Sequence, residues 1–336
     1  MKKVLFVSAV VGLMAGCNGG SSTEKYQNRR NKEVNVYDSI HEIDTKDVLI
    51  GNLARLYILD NYLFISDLGS MLNILHVFDT ENFNHVVSGI RKGRGPGEIA
   101  NGGSFVIDET HRRFLLPDYG KNAVFEYDLD AFLADPEYYI PASKMNLSKK
   151  QFPDRLQYLN DSIYMGRVIA PTGNSGYNQS VAKWNINTGE YTTLPYAHPA
   201  IERRRTTFAA SMKYGIYVES YYHHDLFTIC TLDGELICNV YGPKWDDRTS
   251  NSMSYYNTPC ICKDKIVIAY SGKKRFADES SDPTRFHVFD LKGNYLKTLD
   301  VGYKISDYCY DAKHNRLIMS LNDVPQFAYL DMLDCM

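Results

Sequence analysis

The sequence predicts an all-β fold, a six-bladed β-propeller with four-stranded antiparallel blades and a ring closed by an amino-terminal strand. Two observations predict it. A short pattern of aromatic or aliphatic residues, most often ending in Asp, recurs six times, and two further apolar runs bounded by turn residues precede each copy. The repeat length of roughly fifty residues is the size of one propeller blade. Closing the ring removes the exposed edges that an open sheet would leave.

The recurring pattern marks the third strand of each blade. The copies that end in Asp are residues 76–79, 125–128, 287–290 and 328–331, and the two weaker copies are 182–185 and 227–230. Three copies lead into turns that contain Gly189, Gly234 or Gly293, where glycine can adopt the left-handed conformation that closes a β-hairpin. These turns predict a fourth strand in each blade. One short helical turn is predicted near residues 130–134.

The sixth blade lacks a fourth strand, because the sequence ends soon after its third strand near Met332. Residues 34–38 remain unassigned at the amino-terminal side, and they are predicted to supply the missing outer strand and to close the ring. No linker divides the chain, so residues 32–336 are predicted to form a single propeller domain.

A glycine-rich stretch, GIRKGRGPGEIANGG at residues 89–103, lies between the first two blades. It fits neither common nucleotide-binding motif. After Gly93 and Gly95 a dinucleotide fingerprint requires glycine where the chain has Glu98, and a P-loop requires Gly-Lys-Ser/Thr where residues 102–104 read GGS. Two interpretations remain, a structural corner between blades that needs positive φ, and a dedicated anion site formed by backbone N–H groups.

Residues 93–128 resemble an NHL-type repeat. They begin with GRGPGE, and after a gap three predicted strands follow that end at Asp108, Asp118 and Asp128. The chain departs from that pattern at residues 102–103, where Gly-Gly replaces the proline that follows the gap. Together with the amino-terminal segment described next, the chain is similar to the TolB-like propeller lipoproteins of Gram-negative bacteria. This resemblance implies the same propeller fold and a location at the cell envelope.

Residues 1–16 are predicted to be a signal peptide, because Lys2 and Lys3 precede an apolar run that is too short to span a bilayer as a stable helix. The sequence LMAGC at 13–17 resembles a lipobox, in which Cys17 would receive the lipid, although Met14 departs from the usual branched aliphatic residue. The alternative is an ordinary signal peptide with an incidental cysteine. Residues 17–31 are polar and are predicted to form a flexible, lipidated tether.

Charge and motif content exclude several classes of function. The net charge is −3, and loss of Lys2 and Lys3 with the signal peptide makes it −5, which argues against a nucleic-acid-binding protein. Neither a G-x-S-x-G elbow nor an H-E-x-x-H pair occurs, and no cofactor, metal ligand or catalytic residue is assigned. Six cysteines beyond Cys17 allow fifteen complete pairings, so no disulfide framework is assigned. In a strand, Cys260 and Cys262 would point to one face.

The candidate partner-binding residues are cations and aromatic residues in loops on one face of the ring. This top face carries the loops between successive blades and the loops between the second and third strands of each blade. The candidates are Arg91, Lys92, Arg94, Lys121, Arg203, Arg204, Arg205, Tyr221, Tyr222, His223 and His224. Guanidinium groups bind carboxylates or sulfates, and aromatic rings stack on sugars. Ordinary solvated loop charges are the alternative, and a metal or acid–base role is the alternative for residues 221–225.

The predicted function is that of a lipid-anchored binding or scaffold protein at the bacterial envelope. Its top face is predicted to engage an envelope glycan, peptide or protein, and an anionic partner suits the cationic rim. No nucleic acid is expected, and the lipid anchor alone is expected to attach the chain to the membrane. The alternative is a metal-dependent propeller enzyme, lactonase-like or lyase-like, with its site in the central channel.

Overall fold

A computed structural model of the protein describes residues 22–148, 150–172, 176–202, 204–248, 251–276 and 280–332. The predicted signal peptide, Cys17, Arg203 and Cys335 lie outside these residues. Six antiparallel sheets surround a central channel, as the sequence predicts. No helix in the described ranges has the length and apolar character needed to cross a membrane.

The strands follow the chain blade by blade. Three strands precede the blades: β1 (Glu24–Tyr26), β2 (Glu33–Asn35) and β3 (Ile40–Glu42). Blade 1 contains β4 (Ala54–Leu59), β5 (Tyr62–Asp67), β6 (Asn73–Asp79) and β7 (His85–Arg91). Blade 2 contains β8 (Val106–Asp108), β9 (Arg113–Asp118), β10 (Ala123–Asp128), helix α1 (Leu129–Ala134) and β11 (Ala142–Asn146). Blade 3 contains β12 (Phe152–Tyr158), β13 (Ile163–Pro171), β14 (Tyr177–Asn185) and β15 (Tyr191–Thr193).

The remaining three blades complete the ring. Blade 4 contains β16 (Thr206–Ser211), β17 (Ile216–Tyr221), β18 (Leu226–Thr231) and β19 (Leu236–Tyr241). Blade 5 contains β20 (Met253–Tyr256) and β21 (Cys260–Cys262), which both pair with β22 (Lys265–Lys274), then β23 (Arg285–Asp290) and β24 (Tyr295–Asp300). Blade 6 contains β25 (Ile305–Asp311), β26 (Arg316–Leu321) and β27 (Phe327–Asp331). All six recurring segments lie in third strands, which confirms the repeat.

The aspartates that end the third strands hold the following turns. Asp79 accepts hydrogen bonds from the backbone N–H groups of three of the next five residues. Asp290 accepts two, from Lys292 at 2.9 Å and Asn294 at 2.8 Å. Asp128 instead accepts the N–H of Ala131 at 2.8 Å and caps α1, the short helix that the sequence predicts. An aspartate at this position therefore satisfies turn N–H groups that would otherwise lack partners.

An amino-terminal strand closes the ring, although at a different position from the one predicted. β3 (Ile40–Glu42) pairs antiparallel with β27 as the fourth strand of blade 6. The residues predicted for this role, 34–38, overlap β2, which pairs in parallel with β24 on the outer edge of blade 5. Residues 36–39 are therefore needed to cross from blade 5 to blade 6. For this reason the closing strand, residues 40–42, lies later in the sequence than predicted.

The flexible tether predicted over residues 17–31 is corrected in its described part. Residues 22–42 form an amino-terminal strap along the outer edges of three blades, and β1 pairs in parallel with β19 of blade 4. Between β1 and β2, the Arg30 side chain inserts between blades 4 and 5 and pairs with Asp225 at 3.0 Å. Only 5% of the Arg30 side chain and none of the Asp225 side chain is exposed. A polar composition alone could not reveal these contacts.

The core lies between neighbouring blades rather than at one central point. Phe64 of blade 1 packs edge-on against Phe114 of blade 2 with ring centroids 5.1 Å apart, and Phe227 of blade 4 contacts Phe289 of blade 5 at 4.7 Å. Each sheet thus buries both faces against its neighbours, as blades in a closed ring must. This packing fixes the first strand of every blade along the channel.

The cysteines of the described residues are all free thiols. Cys230 packs with residues of blade 3 and Cys238 with residues of blade 5, so the two thiols lie on opposite faces of blade 4. Cys260 and Cys262 do share one face, and their sulfur atoms are 3.7 Å apart.

Candidate functional site

The central channel contains two cavities. The upper cavity, about 300 Å³, opens at the top face, where loop residues Asn52 and Leu53 contribute to its wall. The lower cavity, about 710 Å³, lies towards the opposite face. Arg155, Thr258 and Asp307 line both cavities, so they mark the place where the two meet.

Arg155 occupies an irregular position in β12. The register between β12 and β13 shifts between Asp154 and Gln157, which places one extra residue in β12. Arg155 lies in this bulge with φ of 50°, in the left-handed region that residues with a Cβ rarely adopt. Bulges redirect side chains and are common beside functional sites. Here the bulge brings the Arg155 side chain to the wall of the channel.

The cations of the upper channel differ in their partners. Arg167 forms an ion pair with Asp154 and donates a hydrogen bond to the carbonyl oxygen of Thr206. Arg55 and Arg155, unlike Arg167, border the upper cavity. Among the described residues, neither of their guanidinium groups has a hydrogen bond or an ion pair within contact distance. The channel therefore holds two cations that are free to meet a ligand.

The positive charge of these arginines shifts the pKa of two neighbouring groups, Asp307 and Tyr222. Burial raises the pKa of Asp307, while Arg155 and the N–H of Leu56, which donates to its Oδ2 at 2.8 Å, oppose part of that rise. Burial works in the same direction on Tyr222, yet the guanidinium groups of Arg155, Arg167 and Arg55 outweigh it and lower the pKa of the phenol. The environment of Tyr222 thus favours negative charge.

The glycine-rich stretch connects β7 to β8, the corner between blades 1 and 2. The carboxylate of Glu98 fills the loop from inside and accepts the N–H of Gly95 at 2.6 Å. Gly97 has φ of 74°, and a Cβ there would lie 2.9 Å from the carbonyl oxygen of Tyr139. The geometry favours the corner interpretation, because the stretch binds its own carboxylate where an external anion would have to lie.

The cations of this stretch have different environments. Arg91 forms an exposed ion pair with Glu137. The Lys121 ammonium donates to the carbonyl oxygens of Gly95 and Glu98 at 2.7 Å each, so it helps to hold the corner. Lys92 and Arg94 have no ion-pair partner in the described part of the chain. These two are the rim cations that remain available in this loop.

Arg204 and Arg205 also differ in their environments. One Arg204 nitrogen donates to both carboxylate oxygens of Glu219 at 2.7 Å, and the Glu219 side chain is fully buried. Arg205 lies over the ring of Tyr177, with its central carbon 3.9 Å from the ring centroid. Arg204 is therefore a core ion-pair partner, whereas Arg205 and Tyr177 lie on the top face. Arg203, also predicted for the site, lies outside the described residues.

The Tyr221–His224 cluster does not form an aromatic rim. Tyr221 is fully buried and packs with Leu226 and Tyr241. His224 is also buried, and its Nδ1 lies 3.1 Å from the carbonyl oxygen of Asp246. Because Tyr221 and His224 belong to the core of blade 4, they are unavailable to a surface partner. The prediction placed them on exposed loops because sequence alone cannot distinguish a rim from a blade edge.

The other two residues of the cluster have separate environments. His223 is half-buried, with Nδ1 2.9 Å from the carbonyl oxygen of Met253. Burial lowers the pKa of both His223 and His224. Tyr222 alone lines the upper cavity. In the ranges that the structure describes, no group of three or more His, Cys, Asp or Glu residues is placed to hold a metal ion.

Sequence reasoning missed the channel residues Arg55, Arg155 and Asp307. Two of them lie in the apolar runs assigned to first strands, where a charged side chain faces the channel instead of the core of the blade. A charge inside such a run was the available signal. Arg155 gave no such signal, because the bulge that redirects its side chain leaves no mark in the residue pattern.

Solved structures share the fold at low sequence identity. A DUF4221-family protein from Bacteroides vulgatus matches with a TM-score of 0.62 and 12% identity, over 87% of this chain and 95% of its own. A candidate exported protein from Bacteroides fragilis matches with a TM-score of 0.52 and 14% identity, over 88% of this chain and 87% of its own. A gluconolactonase from Xanthomonas campestris matches with a TM-score of 0.52 and 13% identity, over 80% of this chain and 82% of its own.

These likenesses concern the fold alone. No curated protein matches the chain in sequence. A family model described as "6-bladed beta-propeller" does match residues 42–259, from the closing strand β3 to the channel residue Thr258. With six blades around a channel and this match over most of the ring, the chain belongs to the DUF5128 family of six-bladed β-propellers.

Proposed function

We propose that this propeller is a lipid-anchored binding protein of the bacterial envelope, of the NHL-repeat and TolB-like type, that captures an anionic glycan, peptide or protein. The observation that carries the proposal is the set of unpaired cations on and below the top face. Lys92 and Arg94 lie on the rim, and Arg55 and Arg155 lie in the channel beneath it. A local excess of cations attracts an anion even when the whole protein carries a net negative charge.

The rim is also suited to contact rather than to chemistry. Arg205 stacked on Tyr177 presents a planar cation and a partly exposed ring together. Such a pair can bind a carboxylate or sulfate through the guanidinium group and the face of a sugar through the ring. Turnover of the captured partner would instead favour the alternative of a channel enzyme.

Replacing Arg91, Lys92 and Arg94 together with Ser should weaken capture of an anionic partner and flatten the salt dependence of binding. The change should alter the unfolding free energy by less than about 1 kcal/mol, because exposed charges contribute little to folding. The measurement is binding to a panel of acidic glycans and envelope proteins at two salt concentrations, beside a thermal melt.

A matched control replaces Lys213, Lys263 and Lys313 with Ser. These cations lie on hairpins between first and second strands, on the opposite face of the ring. The control has the same net charge as the rim variant and should bind like the parent. If the rim variant also binds every partner like the parent, the rim is not the functional surface.

The lipid anchor is a separate part of the proposal. Support comes from the lipobox-like sequence before Cys17 and from the fold shared with a candidate exported protein. Replacing Cys17 with Ser should release the protein from the membrane fraction, because no acyl chain could then be attached. Fractionation after a salt wash measures this. A variant that still sediments with membranes would contradict lipidation at Cys17.

A further inference from the structure

We propose that the upper cavity of the channel binds a sugar acid, a carboxylate that also carries hydroxyl groups, and that Arg55 and Arg155 hold the carboxylate. This inference rests on the proposed function, since it names a ligand for the same top face. The residues that carry it lie inside the channel and are distinct from the rim loops. Its test can therefore fail while capture at the rim still stands.

The first argument is that the N–H donors of the Arg155 guanidinium group have no internal acceptor. Arg167, which lies opposite Asp154 in the neighbouring strand, is neutralised by that carboxylate. Arg155 borders both cavities and, among the described residues, has no ion pair or hydrogen bond to its guanidinium group. Asp154 and Asp307 favour its charged form from a distance, but they leave its N–H donors without acceptors. An anion from solution would supply those acceptors.

The second argument is the backbone that presents Arg155. Its φ of 50° and the extra residue in β12 both depart from regular strand geometry. A left-handed conformation is unfavourable for a residue with a Cβ, and such strain persists where the surrounding structure enforces it. Arg155 lies inside a channel-lining strand rather than in a hairpin turn. The irregularity thus serves to turn a cation into the channel.

The third argument concerns the charge that the cavity accepts. Arg55 and Arg155 lie near Asp307, and Arg155 lowers the free energy of its charged form. A guanidinium group binds a carboxylate through two parallel hydrogen bonds. Asp307 would repel a second negative charge, so a monoanion fits this site better than a phosphate dianion.

The remaining wall of the cavity is suited to hydroxyl groups. Its polar members are Asn52, Tyr222, Asn257, Thr258 and Ser306. Hydroxyl and amide groups donate and accept hydrogen bonds, so they can pair with the hydroxyls of a sugar ring. A volume of about 300 Å³ is at the small end for ligand pockets and suits a single ring. The hydroxyls of Thr258 and Ser306 already have partners in Thr207 and Ser320, so they would share further hydrogen bonds with a ligand.

Calorimetric titration of the purified full chain tests the proposal with four probes. D-Galacturonate represents the free sugar acid, and a trigalacturonate represents the end of an acidic glycan. D-Galactose has the hydroxyl groups without the carboxylate, and acetate has the carboxylate without the hydroxyl groups. We expect binding of at least one uronate, and weaker or no binding of galactose and acetate. Preference for the trimer would identify a glycan end as the source, and preference for the monomer would identify a free sugar acid.

Two variants assign the binding to the channel. Arg155→Gln and Arg55→Gln should each weaken uronate binding on the order of 10- to 100-fold, the effect of losing one charge-assisted hydrogen-bonding group. Arg55 is half-buried beside the opening, so its variant remains informative if Arg155→Gln unfolds, which a thermal melt reports. Arg29→Gln, on the exposed strap, is the matched control and should bind like the parent.

Three results would overturn the inference: no binding of either uronate, equal binding of galactose, or uronate binding unchanged in both channel variants. If one of these occurs while the rim variant still loses its anionic partner, the sugar-acid site is wrong and the proposed function stands. If the uronate binds and the rim variant captures every partner like the parent, the channel rather than the rim is the functional surface.

Discussion

Replacing Arg30 with Met should lower the free energy of unfolding by about 3–5 kcal/mol, the loss expected when one partner of a buried ion pair is removed. The Asp225 carboxylate would stay buried between blades 4 and 5, with hydrogen bonds from Tyr256 and the N–H of Lys244 at 3.0 Å each. Those bonds cannot replace the positive charge. Arg30 also lies 5.5 Å from the ring centroid of Tyr270, so packing is lost together with charge.

Chemical denaturation of the variant and the parent measures this loss. Arg29→Met is the matched control, because Arg29 is adjacent and exposed and has no ion pair among the described residues. It should change stability by less than about 0.5 kcal/mol. Equal effects of the two substitutions would mean that Arg30 does not hold the strap in the way that the structure indicates.

Arg204→Met should have a destabilising effect of similar size, about 3–5 kcal/mol, for the same reason. Glu219 is fully buried, and both of its carboxylate oxygens accept hydrogen bonds from Arg204. Arg204 is the only cation that pairs with Glu219 among the described residues, so its removal would leave the buried carboxylate without a countercharge. Arg204 was predicted from sequence to bind a partner, and this variant tests the structural role instead.

Arg205→Met provides the comparison for Arg204. Its guanidinium group lies over Tyr177 at the top face, so stability should change by less than about 1 kcal/mol while binding of an anionic partner weakens. The readouts are a denaturation curve and the binding panel described above. If Arg204→Met is as stable as the parent and Arg205→Met unfolds, the assignments of the two arginines must be exchanged.

The blades were predictable from sequence because their determinants are local. The turn after a third strand favours an aspartate at the end of that strand, because the carboxylate accepts hydrogen bonds from N–H groups of the turn, as at Asp79 and Asp290. This requirement recurs along the chain. The strap was not predictable in the same way. Its strands are three residues each, and Arg30 contacts Asp225 across almost two hundred residues of sequence. Nothing near Arg30 in the sequence distinguishes it from Arg29.

The candidate site was only partly predictable for a related reason. Arg94 and Arg204 look alike in sequence, since both are arginines in predicted loops. Burial separates them, because a buried carboxylate neutralises Arg204 whereas Arg94 remains exposed. Arg155 was missed because its orientation depends on one extra residue in a strand. Contacts between blades and single-residue bulges depend on tertiary packing, which residue patterns do not record.

The amino-terminal strap also determines how the ring would respond to force. A lipid on Cys17 would leave seven residues before the paired Glu24, a reach of at most about 25 Å, so the outer edge of blade 4 would stay close to the bilayer. Tension on the anchor would act first on β1, then on Arg30 and then on β2. Only after these gave way would it pull on β3, which closes blade 6. The strap would thus protect the closed ring from mechanical opening.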